Sequence, residues 1–343
     1  MSTAFVHLHL HSEYSLVDST IRIKALIAAS VRAGMPAVAL TDESNLFALV
    51  KFYKAAQAAG IKPIAGADVW VVGHDDPRPW RLTLLCQHHA GYLNLSRLVS
   101  KAWRDGQHGG KAFVEAGWMT STSMAGLIAI CGRDSEAARV APSGGVEAAV
   151  LKLTPLARIF PDRLYLELTR TGRDGEELWN NAALAVAGAM DLPVIASNDV
   201  RFIDQDDFES HEARVCINQG RVLADPKRPR DYSPEQYLKT PAEMAELFAD
   251  VPEALENTVE LARRCNLELK FGTYYLPDFP VPEGHDLASY IRLRAREGLA
   301  ERLAAHPMAP GRTLEDYQSR LEREVDVIVN MGFPGYFLIV SDF

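Results

Sequence analysis

The stretch Phe5-Val-His-Leu-His-Leu-His-Ser-Glu13 alternates histidine with apolar residues at a period of two. That is the period of a strand, whose successive side chains point to opposite faces. The reading puts His7, His9 and His11 on one face and Val6, Leu8 and Leu10 on the other. Two histidines two residues apart can reach one divalent ion, and such a pair, where a strand meets a loop, suits a hydrolytic metal site. Each ring can equally fill a hydrogen-bonded core position, because buried polar groups need partners.

Outward from this strand, short apolar runs recur at Ala37–Asp42, Pro63–Val72, Arg81–Cys86, Leu127–Cys131, Leu164–Leu168 and Pro193–Asp199. Between most of them lie segments with helical apolar spacing: Thr20–Ala33, Lys51–Ala59, Tyr92–Trp103, Val146–Phe160 and Glu176–Met190. Seven strands mostly alternating with helices predict a largely parallel sheet closed into a barrel. In such barrels the chemistry sits beyond the C-terminal ends of the strands. His9, His11, Asp42, Glu43, Asp68 and Asp199 fall there, so residues distant in sequence converge on one mouth. An aspartate after a strand also serves as the cap of the next helix, an alternative reading that applies to Asp42 above all.

Past residue 204 the alternation stops. Asp225–Pro234 is a proline-rich, locally basic loop whose charges read as solvated, and Ser233-Pro reads as a helix start. Helices are expected at Thr240–Phe248, Pro252–Cys265, Leu287–Leu303 and Leu314–Met331. Three prolines in Tyr274–Gly284 exclude a helix and mark a domain boundary. The last residues, Gly335–Phe343, are apolar, as expected of a chain cut inside a longer protein.

With 343 residues and 48% apolar side chains, the chain can build one large domain plus an appendage. A net charge of −9 argues against strong non-specific nucleic-acid binding, which needs clustered Lys and Arg. The four cysteines are dispersed with no CxxC spacing, as suits reduced thiols. With neither a signal peptide nor a membrane span in the sequence, a cytoplasmic protein without membrane contact is expected.

The histidine start through Asp18, together with Val38–Leu46, Leu49–Ala55, Gly60–Asp68, Ser197–Ile203, the 225–234 loop, Glu243–Asp250 and Asn330–Ile339, resembles the N-terminal part of the C-family replicative DNA polymerases of bacteria. The likeness runs the length of the chain. It implies that residues 1–275 form a PHP (polymerase and histidinol phosphatase) domain, a distorted (β/α)7 TIM-like barrel of α/β class, and that residues 276–343 are a mostly helical start of the palm. It further implies a DNA-directed DNA polymerase, a nucleotidyltransferase using Mg²⁺, whose catalytic residues and most DNA contacts lie beyond Phe343. The piece alone is then inactive in synthesis, and the implied partner is the proofreading exonuclease subunit.

The resemblance also supplies a ligand pattern. His9, His11, Asp18 and Asp199 match ligand positions of metal-binding PHP relatives. At the other positions Glu43 replaces a histidine, Asp68 a glutamate, and Arg81 and Arg201 histidines. Arg133 falls where a cysteine is usual, with Cys131 close enough to leave that alignment open. A guanidinium is always charged and has no lone pair for a metal. The expectation is therefore a degenerate site without cofactor, in which Glu43, Asp68, Arg81, Arg133 and Arg201 form a salt-bridge network and the barrel is a scaffold. The alternative is an active phosphoesterase with residual zinc or manganese on His9, His11, Asp18 and Asp199.

Overall fold

Among the described residues eight strands form, all but the fourth and fifth from the apolar runs: β1 (Ala37–Leu40), β2 (Lys62–Val72), β3 (Trp80–Cys86), β4 (Gln107–His108), β5 (Lys111–Glu115), β6 (Leu127–Cys131), β7 (Leu164–Thr169) and β8 (Val194–Ser197). The computed structural model describes residues 5–73, 76–273 and 277–343. β1 pairs in parallel with β2, and β6, β7 and β8 are parallel to one another. β3 runs antiparallel to both its neighbours, β2 and β6. The cause is chain length: residues 73–79 are too few for a parallel crossover, which takes about a dozen or more. Reversal puts the beginning of β3, Arg81, at the same end of the sheet as the finishing ends of the other strands. The hairpin β4–β5, which periodicity did not anticipate, hangs on the last residues of β2.

The N-terminal segment closes the ring without being a regular strand. On one side the Ala39 amide donates to the His7 carbonyl at 2.8 Å and the Thr41 amide to the Leu10 carbonyl at 2.9 Å. On the other side the Val200 amide donates to the His9 carbonyl at 3.2 Å and the His11 amide to the Val200 carbonyl at 3.1 Å. From residue 39 to residue 41 β1 advances by fewer residues than its partner does from 7 to 10, which is a β-bulge. The bulge breaks the expected alternation. Val6 and Leu8 pack in the barrel interior with Ile64, Leu85 and Ile130, whereas Leu10 packs outside with Val38 and Leu40. His7 accordingly does not share a face with His9 and His11, and its Nε2 meets the Lys239 carbonyl at 2.8 Å.

Helices cover the ring. α1 (Ile23–Arg32) and α2 (Leu49–Ala58) bury Leu26 and Phe52 against the β1 side. α3 (His89–Asp105), α4 (Glu136–Ile159) and α5 (Glu176–Met190) bury Leu95, Leu153 and Trp179 against the other strands. α4 is interrupted at Gly145, whose φ of 70° leaves the helical region. α6 (Phe208–Gln219), α7 (Pro241–Leu247) and α8 (Pro252–Arg264) follow, and Leu261 and Ala262 of α8 plug the barrel floor. No helix starts at Ser233: residues 236–238 instead hydrogen-bond in extended form to residues 201–203, which takes up the backbone groups a helix would need.

The chain packs as two units, Met1–Leu269 and Lys270–Phe343. The boundary expected at residue 275 lies outside the described residues. In the second unit α9 (Leu287–Ala305), α10 (Leu314–Asn330) and α11 (Pro334–Asp342) share a small core of Ile291, Val325 and Leu338. Arg292 of α9 pairs with Glu322 and Asp326 of α10. Among the described residues no single helix is long and apolar enough to cross a membrane.

One glycine tests the ring directly. A Cβ at Gly66 in β2 would lie 2.5 Å from the Leu84 carbonyl oxygen and 2.6 Å from Leu85 Cδ2, both on β3. Gly66→Ala should cost about 1–3 kcal/mol through overpacking, read as a lower urea midpoint.

Candidate metal and charge-network site at the barrel mouth

The bulge and the reversed β3 together aim ionisable side chains into one buried cluster. His9 Nδ1 lies 2.8 Å from Glu167 Oε1, and its Nε2 lies 3.4 Å from both Asp68 Oδ2 and Asp199 Oδ1. His11 Nδ1 is 2.9 Å from Asp18, and its Nε2 is 3.3 Å from Asp68 Oδ2. Arg81 reaches Glu43 at 2.5 Å, Asp68 at 3.2 Å and Asp18 at 3.5 Å, with its guanidinium 4.6 Å over the Trp70 ring. Arg201, only 1% exposed, holds Asp199 at 2.5 Å and lies 3.7 Å from Asp18.

Of the sequence-singled residues, His9, His11, Asp18, Glu43, Asp68, Arg81, Asp199 and Arg201 thus meet. Arg133 stands apart: it donates to the Asp174 carbonyl at 2.9 Å and lies 3.8 Å from its neighbour Asp134. Asp42 also stays outside, accepting from the Ser12 amide at 2.6 Å and from the hydroxyls of Ser12 and Ser15. It pins the loop after the first segment.

Sequence reasoning missed four members: Glu167, Arg173, Glu176 and Tyr232. Glu167 is the one charged side chain within the apolar β7 run, a signal present in the sequence. Its carboxylate reaches His9 because position 132 is glycine; a Cβ there would sit 2.2 Å from Glu167 Oε2. Arg173 donates to Asp199 at 2.6 Å and pairs with Glu176 at 3.1 Å. Tyr232, delivered by the 225–234 loop, donates to Asp18 at 3.5 Å. In that loop Arg228 pairs with the buried Glu212, so its charge is not merely solvated.

Burial alone would neutralise these groups, and the opposing charges outweigh it. Desolvation pushes His9 down, but Glu167, Asp199 and Asp68 hold it well above the ordinary histidine range. His11 is also raised: burial and Arg201 oppose its charge, and Asp18 and Asp68 favour it. Against the same burial, Arg201 and the facing histidines and guanidiniums hold Asp18 and Asp199 low, and Arg81 and His9 do so for Asp68. Six carboxylates (Asp18, Glu43, Asp68, Glu167, Glu176 and Asp199) meet three guanidiniums (Arg81, Arg173 and Arg201). Three negative charges are left over, and the raised His9 and His11 favour taking up protons that offset part of them.

A divalent ion could do so instead. His9 Nε2, His11 Nε2 and Asp68 Oδ2 lie within 4.8 Å of one another, and none of these buried atoms has a hydrogen-bond partner. Histidine nitrogens with a carboxylate oxygen form a donor set that suits zinc or manganese, so these residues fit one ion, which would supply Lewis-acid activation of water. Arg81 stands 3.2 Å from that same Asp68 Oδ2, and Arg201 holds Asp199, a carboxylate that a further ion would need.

Removing one member of such a buried network leaves an uncompensated charge. Arg201→Ala should cost about 3–5 kcal/mol in denaturant unfolding, whereas Arg133→Ala should stay within about 0.5 kcal/mol. His7, outside the network, gives a pH signature. Burial lowers it from 6.5 to about 4 in the folded protein. Between those values the unfolded chain binds more protons, so stability falls as pH falls. The wild type should lose about 2–3 kcal/mol more than His7→Gln on going from pH 7 to 4.5. His9 acts in the opposite sense: its contribution is present below the unfolded histidine value and is lost as pH rises through its raised folded value.

Comparison with known proteins places this geometry. The PHP domain family matches residues 7–171, and the bacterial DNA polymerase III alpha NTPase domain family matches residues 289–343. DNA polymerase III subunit alpha of Xylella fastidiosa is 54% identical over 100% of this chain, that of Pseudomonas aeruginosa 49% over 100%, and that of Escherichia coli K12 45% over 99%. The chain spans about 30% of the length of these relatives. Among solved structures it is similar to an amidohydrolase from Chromobacterium violaceum, 14% identical with a TM-score of 0.34 over 62% of this chain and 97% of that one, which is too distant to inform the site. By its identity from end to end, the chain belongs to the DNA polymerase III alpha-subunit family, and its residues 7–171 carry the PHP domain.

Proposed function

We propose that this chain is the PHP-bearing scaffold of a cytoplasmic, replicative DNA-directed DNA polymerase, with its barrel mouth held together by arginines in place of a catalytic metal cluster. Residues 1–275 are the PHP domain in this reading, and residues 276–343 begin the palm. Nucleotide transfer with Mg²⁺ and most contact with DNA belong to the parts of the longer relatives that this chain does not span. The partner is the proofreading exonuclease subunit. The observation that carries the reading is the position of Arg81 and Arg201, whose guanidiniums stand 2.5–3.7 Å from Asp18, Glu43, Asp68 and Asp199. Permanent cations there repel a metal cluster and perform its neutralising role.

A second reading, a metal-dependent phosphoesterase holding one zinc or manganese ion, is favoured by the convergence of His9, His11 and Asp68 atoms that make no hydrogen bond. Metal content by plasma mass spectrometry, on protein prepared without a histidine tag, separates the two. The scaffold reading expects far less than one equivalent, and no chelator-sensitive hydrolysis of an aryl phosphate. A stoichiometric ion lost in the His9→Ala/His11→Ala double variant, together with such hydrolysis, would put the phosphoesterase first.

A further inference from the structure

Beside the mouth, sharing Glu43 with the charge network, runs an open groove of about 920 Å³ whose lining includes Leu16, Phe47, Tyr92, Trp103, Lys111 and Asn218. Leu16 and Phe47 are each 66% exposed, and Ile217, next to Asn218 on α6, is 80% exposed. Trp103 is fixed at the groove by its indole N–H, which donates to the Ser44 carbonyl at 2.7 Å. Bulky apolar side chains gathered this way differ from the single exposed leucines of any surface.

The backbone at Leu16 is a second, independent sign. Leu16 has φ 67° and ψ −41°, and the Val17 amide donates across it to the Ser15 carbonyl at 2.8 Å. That is a positive-φ γ-turn, rare and strained for a residue with a Cβ. Arg214 clamps it, donating to the carbonyls of Leu16 at 2.9 Å and Glu13 at 3.1 Å. Strain held in place by its surroundings concentrates where a protein meets a ligand.

Charge then selects the occupant. Arg214 spends its clamping bonds on carbonyls, Lys51 bonds the Tyr14 hydroxyl at 3.3 Å, and Lys111 lines the groove. Among the described residues none of these three is in an ion pair, while Glu43, the carboxylate on the wall, is taken by Arg81. Lys111 is the cation on the lining itself, with Arg214 bonded to the lining residue Leu16 and Lys51 to the adjacent Tyr14, on a chain whose net charge is −9. We propose that the groove docks a peptide segment of a partner protein in which bulky apolar side chains are flanked by carboxylates. The apolar side chains cover Leu16, Phe47 and Trp103, and the carboxylates meet Lys111, Lys51 and Arg214.

The test is selection of phage-displayed random peptides on the whole chain. Sequences pairing bulky apolar residues with Asp or Glu should be enriched. Their binding should weaken by about tenfold or more in Phe47→Ser and in Lys111→Glu, but not in Leu178→Ser, an exposed leucine on α5. Near-native circular dichroism and melting of the variants would exclude misfolding. Absence of enrichment, enrichment without acidic residues, or binding indifferent to both groove variants overturns the proposal. Competition with the exonuclease subunit then connects the groove to the partner named above. An exonuclease subunit that fails to bind the chain at all removes that partner and leaves the peptide result standing.

Discussion

Carboxylates buried at the end of a closed barrel must be neutralised, and the arrangement of this molecule around its mouth follows from that requirement. An isolated ionised group in so dry a place costs several kcal/mol, and pairing recovers it only when each lone pair and proton finds a partner. Arg81, Arg173 and Arg201 come from the start of β3, the approach to α5 and the segment after β8, so the network staples distant parts of the chain to one point. Such a network does little for net stability compared with an apolar core. It specifies which side chains meet.

Two departures from regular geometry make that meeting possible. The bulge between residues 7 and 10 turns His9 toward Glu167 and keeps His11 on Asp18 while His7 is released to Lys239. The reversed β3 brings Arg81 to an end of the barrel that a parallel strand would have denied it. Asp199, whose φ of 42° is left-handed, is held by Gln236, Arg173 and Arg201 at once. These strains sit where the charges are, as expected when surrounding contacts over-determine a site.

The same residues frame the difference between a hydrolytic and a structural mouth. With neutral histidines, one divalent ion would offset two of the three excess negative charges; two protonated histidines would offset the same two without it. The two states compete for the same lone pairs on His9 and His11, so proton and metal binding are linked. In either state the arginines on Asp68 and Asp199 remain.

Much of this was legible in the sequence. The strand and helix periodicity located six of the barrel strands, and the histidine and carboxylate positions after them marked the mouth, because side-chain period and strand ends are local properties. The family resemblance singled out Arg81 and Arg201, although it also nominated Arg133, which points its guanidinium at a loop carbonyl. What only the tertiary structure decided was set by packing between distant residues. The bulge exists because the N-terminal segment must match β1 on one side and Val200 on the other, two ladders whose registers a single period of two cannot satisfy. Glu167, Arg173 and Tyr232 joined the site through contacts across the barrel, and no spacing along the chain encodes which carboxylate a guanidinium will find.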